Sequence, residues 1–319
     1  MSDPGNREVE HQIEVGAPAA EVYRLIAEVA NWPQLFPPTV YVDQVERSGK
    51  SERIRIWATA NGEVKTWVSR RVLDPGRMRI DFRQEVSAPP VAAMGGAWLI
   101  ESLSKTRSRV RLLHDYRAIG DHPDQLAWID QAVDRNSRSE LGALKANVEL
   151  ATGTGDELMF SFEDRVTIDG AAKDVYDFLN EAQLWQERLP HVARVMLTEP
   201  TPGLQTLEMD TRTKDGSVHT TKSVRVCFPH YRIVYKQVTL PALMSLHTGY
   251  WQVTEPAAGA EGGLVVASQH TVVINQANID RILGEQAGVA QARDYVRTAL
   301  SANSRATLGH AKEYAESRR

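Results

Sequence analysis

Apolar and polar side chains alternate from Val9 through His11 and Ile13 to Val15, the period of a half-buried strand over residues 7–15. Ala17-Pro18 then opens a helix with Val22, Leu25, Ile26 and Val29 on one face, and the prolines of Asn31–Pro38 end it. Strand-like runs follow at 40–47, 52–60, 63–73, 77–87, 97–104 and 107–118, separated by Ser48-Gly49, Asn61-Gly62, Asp74-Pro75-Gly76 and Lys105-Thr106. Short runs divided by turn residues predict an antiparallel meander. Asp121-His122-Pro123 starts a long helix, 123–150, with Leu126, Ile129, Val133, Leu141, Leu144 and Val148 along one side. After Gly153–Gly155 the plan repeats: a strand at 158–168, a helix at 171–182, strands between 193 and 274, and one long helix at 276–315. Asn136 and Asn303 fall on or beside the apolar stripes of the two long helices, where packing on core alone disfavours an amide. A polar cavity between sheet and helix accounts for both.

The repetition is also literal. Ala19, Val22, Tyr23, Glu28, Trp32 and Pro37 recur as Ala172, Val175, Tyr176, Glu181, Trp185 and Pro190, and Gly96 and Trp98 as Gly249 and Trp251, all at an offset of 153 residues. His114 pairs with His270 once a Gly/Ala-rich insertion near Ala257–Gly263 is allowed for, and Asn136-Ser137-Arg138 returns as Asn303-Ser304-Arg305. Similarity in this order means a tandem duplication: an α+β chain with domains at 1–152 and 157–319, joined by 153–156. Each is one curved antiparallel sheet gripping a long C-terminal helix.

Composition narrows the function classes. The chain has 319 residues, 42% apolar and 24% charged, and a net charge of −4, which gives no general attraction for nucleic acid or anionic lipid. No apolar run approaches the ~20 residues of a membrane helix. Residues 1–10 lack a signal-peptide core, and the single cysteine, Cys227, rules out an internal disulfide, so a cytoplasmic setting is expected. No Gly-rich phosphate loop precedes a helix, and the histidines are scattered without a ligand cluster, so neither a cofactor nor a metal is expected.

The stretch around which each half is organised runs Thr66-Trp67-Val68-Ser69-Arg70-Arg71 and is echoed by Thr220-Thr221-Lys222-Ser223-Val224-Arg225. Alternate residues of a strand share a face, so Trp67, Ser69 and Arg71 point one way, as do Ser223 and Arg225, with Thr221 in the tryptophan's place. An aromatic, a hydroxyl and a guanidinium make an odd core but a reasonable pocket wall. Each residue also has a plainer reading: an arginine in a surface ion pair, a tryptophan in ordinary core (the stronger reading for Trp98 and Trp251), a hydrogen-bonded strand histidine, an asparagine at a helix kink.

This arrangement resembles the helix-grip superfamily of START-like and Bet v 1-like domains, and within it the two-domain aromatase/cyclases of bacterial aromatic polyketide synthases. The residues that carry the resemblance are Trp32-Pro33-Gln34-Leu35-Phe36 and Trp67-Val68-Ser69-Arg70-Arg71, together with the duplication itself. The resemblance implies a pocket lined by Trp32, Phe36, Trp67, Ser69 and Arg71. Thr39 stands near the relatives' pocket tyrosine, and the second half keeps Trp185, Ser223 and Arg225 but has Leu189 for Phe36. It further implies a linear poly-β-ketone carried on an acyl carrier protein, with other synthase subunits as possible partners.

Ring closure on such a chain, followed by loss of water, develops negative charge on oxygen. Arg71 and Arg225 would stabilise that charge, Ser69 and Ser223 hold a carbonyl or water, and His114 and His270 shuttle protons near neutral pH. Trp32, Phe36, Trp67, Trp98, Trp185 and Trp251 would supply flat walls, with Asn136 and Asn303 facing the substrate from the helices. Leu189 and Thr221 predict a wider second pocket if nothing else fills the space. The rivals are a non-catalytic carrier of a hydrophobic small molecule, and a chain in which only one domain is catalytic.

Overall fold

The computed structural model describes residues 6–60, 63–153, 157–212, 216, 218–257 and 262–319. The predicted turn at Asn61-Gly62, Asp215 of the second turn, most of the insertion and residues 154–156 of the linker lie outside these. The chain divides into two compact units, Met1–Asp156 and Glu157–Arg319.

In the first unit, β1 (Arg7–Val15) is followed by α1 (Ala19–Ala27) and the short α2 (Trp32–Leu35). Then come β2 (Thr39–Ser48), β3 (Ser51–Ala60), β4 (Glu63–Asp74), β5 (Arg79–Gln84), β6 (Val91–Ser104), β7 (Arg107–Ala118) and α3 (Pro123–Thr152). The sheet is antiparallel, in the order β1-β7-β6-β5-β4-β3-β2. The meander is therefore as predicted, and β1 joins it beside β7. Two strand limits differ from the sequence reading. β5 is shorter than 77–87, and β6 starts six residues earlier than 97, because Gly95 and Gly96 stay in the ladder where glycine usually marks a break. Those glycines are needed there: a Cβ on Gly96 would lie 1.9 Å from the Leu113 carbonyl oxygen.

The second unit repeats the order with β8 (Met159–Ile168), α4 (Ala172–Asn180), α5 (Trp185–Arg188), β9 (Val192–Thr201), β10 (Leu204–Arg212), β11 (Val218–Phe228), β12 (Arg232–Thr239), β13 (Met244–Thr254) and β14 (Leu264–Ile274). Its strand order, β8-β14-β13-β12-β11-β10-β9, is the same. The expected single helix at 276–315 is two: α6 (Ile279–Leu283) and α7 (Val289–Glu316). Gly284, at φ +91° and ψ 157°, takes a conformation open to glycine that stops α6.

Each sheet packs its concave face on its long helix. α3 buries Ile129, Val133, Ser137, Leu141, Leu144 and Val148, spaced three or four apart. The corresponding stripe of α7 contains Ser304, Thr307, Leu308 and Ala311. In α7, Ser304 and Thr307 mark where packing gives way to a cavity.

Candidate functional site

β4 turns Ser69, Arg71 and Leu73 inward, and all three are buried. Between them and α3 lies a cavity of about 150 Å³, walled by Trp32, Trp67 and Trp98 and reached by Ser69, Arg71, His114 and Glu140. Arg71 is 1% exposed. Its Nη2 donates to the Ala27 carbonyl at 2.8 Å and its Nη1 to that of Ile26 at 3.4 Å, both in the last turn of α1. Those carbonyls have no partner within the helix and form its negative end, which suits a cation. The guanidinium also stacks 5.1 Å over Trp32, whose Nε1 donates to the Ile26 carbonyl. Directly across the sheet, Glu52 Oε1 faces Arg71 Nε at 3.1 Å, an ion pair without hydrogen-bond alignment. Gln44 donates to the other Glu52 oxygen at 2.5 Å. Burial brings the Arg71 pKa down to about 10, opposed by Glu52, so it stays cationic at neutral pH.

The second half rebuilds the same anchor with one loss. Arg225 Nη2 donates to the Leu179 carbonyl in the last turn of α4 at 2.5 Å, and the guanidinium stacks 5.4 Å over Trp185. Trp185 in turn donates to the Phe178 carbonyl. The residue across the sheet from Arg225 is Gln205, whose amide donates to Asn180 and Glu199. Among the described residues no carboxylate forms an ion pair with Arg225, its Nη1 has no partner, and burial pushes its pKa down. Arg225 borders a cavity of about 130 Å³ that also takes in Ser223, Trp185, Trp251, His270 and Asn303.

The structure thus brings together most residues singled out from the sequence, and corrects three readings. Phe36 lines neither of these two cavities; it is core, edge-on to Trp32 at 5.5 Å and stacked with Trp98 at 6.1 Å. Asn136 is exposed, because the helical turn that points Val133 and Leu141 inward brings Ser137 with them, four residues from each. In the second cavity Met209, Met244 and Leu300 line the space beside Thr221, so other side chains share the room that the smaller residue leaves. Neither histidine titrates near neutrality: burial pushes His114 and His270 down to about 4.

Sequence reasoning missed several lining groups. Glu140 borders the first cavity, and burial pushes its carboxyl up to about 7. It lies three residues after Ser137, so the stripe itself held the signal. In the second cavity Tyr235 and His247 were missed; their counterparts by register are Phe82 and Met94. Aligning the two halves position by position would have exposed both as apolar-to-polar exchanges.

A serine and a buried arginine beside a tryptophan-walled cavity can polarise a ketone and stabilise an enolate. Both halves match the family described as polyketide cyclase/dehydrase and lipid transport, over residues 15–138 and 159–316. The chain is similar to the granaticin polyketide synthase bifunctional cyclase/dehydratase of Streptomyces virginiae, at 55% identity over 94% of this chain and 97% of the relative. It is also similar to the actinorhodin polyketide synthase bifunctional cyclase/dehydratase of Streptomyces coelicolor, at 44% identity over 98% of each. Among solved structures, the di-domain aromatase/cyclase BexL from the BE-7585A biosynthetic pathway superposes with a TM-score of 0.92 at 67% identity, covering 97% of this chain and 99% of that one. With matching models on both halves and full-length relatives at this identity, the chain belongs to the polyketide cyclase/dehydrase family.

Proposed function

We propose that this protein is an aromatase/cyclase that closes and dehydrates the first ring of a poly-β-ketone presented by an acyl carrier protein. The observation that carries this reading is the pair of cavities, each bordered by a serine, a buried arginine and tryptophan. The charged and hydroxylic lining favours chemistry over carriage, because a carrier of a hydrophobic molecule gains nothing from burying a guanidinium.

The two halves are suited to different steps. In the first, Trp32, Trp67 and Trp98 form flat walls that hold a chain folded, and Glu140, with its pKa of about 7, can take or return a proton at neutral pH. Arg71 faces its own carboxylate, so it chiefly fixes the wall and Trp32. In the second, Arg225 has no carboxylate in ion-pair contact among the described residues, keeps an unpartnered donor and borders the cavity in which an enolate oxygen would develop. The first domain accordingly governs chain folding and ring closure, and the second dehydration.

The test is to supply the protein with a minimal polyketide synthase, with and without a ketoreductase, and identify the products. A new aromatic first ring in either mixture is expected. Products unchanged in both would favour a carrier.

A further inference from the structure

The second cavity contains a chain of polar atoms that the first lacks. His247 Nε2 lies 2.9 Å from His270 Nδ1 and 3.3 Å from Tyr235 Oη. Tyr235 Oη is 2.9 Å from the same His270 Nδ1, and His270 Nε2 is 2.7 Å from Ser304 Oγ. All four residues border the cavity and all are buried, His247 at 2% exposure. Ser268 Oγ lies 3.1 Å from the same His270 Nε2 and 3.2 Å from Ser304 Oγ. In the first sheet the positions of Tyr235, His247 and Ser268 are Phe82, Met94 and Leu112, so only His114 and Ser137 remain, at 3.4 Å.

The hydrogens in this chain can be assigned by counting. Two imidazole nitrogens 2.9 Å apart share one hydrogen at most. Burial holds both rings neutral, His270 down to about 4 and His247 well below its ordinary value. The contacts are served if Tyr235 donates to His270 Nδ1, His270 Nε2–H and Ser268 donate to Ser304, and His247 Nε2–H is shared between the Tyr235 oxygen and His270 Nδ1. That leaves a lone pair on His247 Nδ1, which is buried and has no protein partner. The chain thus ends in an acceptor at His247 and a hydroxyl at Ser304, both of them residues of the cavity lining.

We infer that His247 is a further catalytic residue: its Nδ1 takes the α-proton of a β-hydroxy ketone in the second cavity, and Tyr235, His270 and Ser304 relay a proton to the departing hydroxyl. This deepens, and rests on, the assignment of dehydration to the second domain. The C–H bond breaks and its electron pair becomes the new C=C bond. The C–O bond breaks, and the hydroxyl leaves as water with the proton from Ser304. Each link passes one proton on, so no imidazolium accumulates, which suits histidines that resist protonation. The released water then carries a proton from His247 back to Ser304, restoring the tautomers. His247 and Ser304 touch the substrate; Tyr235 and His270 act through them as positioning residues.

The experiment uses the full chain in the reconstituted synthase with ketoreductase. His247→Met and Tyr235→Phe install the side chains that the first domain has at these positions, and His247→Asn keeps a polar group without a transferable proton. All three variants should still close the ring but accumulate the hydroxylated, undehydrated product, with dehydration slowed roughly 100-fold or more. Tyr235→Phe should lower kcat and leave KM unchanged; a rise in KM alone would overturn the relay. Arg225→Ala is run alongside. Normal dehydration in both His247 variants but not in Arg225→Ala overturns the relay and leaves the second-domain assignment standing. Normal dehydration in all, Arg225→Ala included, overturns both. Should His247→Met fail to fold, His247→Asn and Tyr235→Phe decide the same question.

Discussion

Glu52 stands directly across the first sheet from Arg71, 3.1 Å from its Nε, and the same place opposite Arg225 is held by Gln205. One sheet therefore buries a neutralised pair, and the other buries a cation that has no carboxylate in ion-pair contact among the described residues. Removing one member of a buried pair strands the other, so Glu52→Gln should destabilise the first domain by about 3 kcal/mol. Arg225→Met removes a charge that has no ion pair to lose among the described residues. It should leave the thermal unfolding of the second domain unchanged or raised while abolishing dehydration. Calorimetry of the full-length variants checks both. A drop for Arg225→Met as large as that for Glu52→Gln would make Arg225 a structural residue.

Glu140 gives the first domain a pH dependence with a definite sign. Its carboxyl moves from 4.5 to about 7 on folding, so between those values the folded state holds more protons than the unfolded. This contribution to stability is present below pH 4.5 and is lost as pH rises through about 7. Unfolding temperatures measured across that range should therefore fall less steeply for Glu140→Gln than for the parent chain. Superimposable pH profiles would show that Glu140 is ionised in the folded state.

Two aromatic residues that look alike in sequence should respond oppositely. Phe36 fills core between Trp32 and Trp98, so Phe36→Leu should cost about 1–2 kcal/mol and leave the product pattern alone. Trp67 borders the cavity, so Trp67→Thr, the second domain's choice, should change the product pattern with a smaller loss of stability. Thermal unfolding and product analysis of the two variants separate these outcomes.

The division of labour is tested by removing each arginine cleanly. Glu52→Leu with Arg71→Met takes out the whole first-domain pair and should yield miscyclised shunt products. Arg225→Ala should instead accumulate a correctly closed ring that has not lost water. Identical product profiles would mean that the two sites are equivalent or act as one.

The strand alternation that put Ser69 with Arg71, and Ser223 with Arg225, on one face was readable because a strand's period is two, whatever surrounds it. The tandem plan was readable from the fixed offset between the copies. Helix faces were less forgiving: Asn136 and Ser137 are neighbours, and choosing between them requires the phase of α3 against its sheet, set by packing at Val133 and Leu141. The ion pair could not be seen at all, since Glu52 and Arg71 lie 19 residues apart and meet only through strand register. The break at Gly284 escaped because a lone glycine is compatible with both a weak helix and a stop. His247 looked like any other scattered histidine until β13 and β14 placed it against His270.

Gly96 and Gly249 occupy equivalent places, and each lets a ring lie against bare backbone. A Cβ would come within 2.8 Å of Phe82 Cζ in one sheet and 2.7 Å of Tyr235 Oη in the other. The seat for the ring is thus common to both copies, and only the oxygen on it differs. Phe and Tyr at this position, and Met and His two residues before the glycine, can interconvert by separate exchanges that leave the backbone in place. After a duplication, such a pair of halves can drift into distinct chemistries along a path of single replacements, each intermediate still folded and its sister copy still intact.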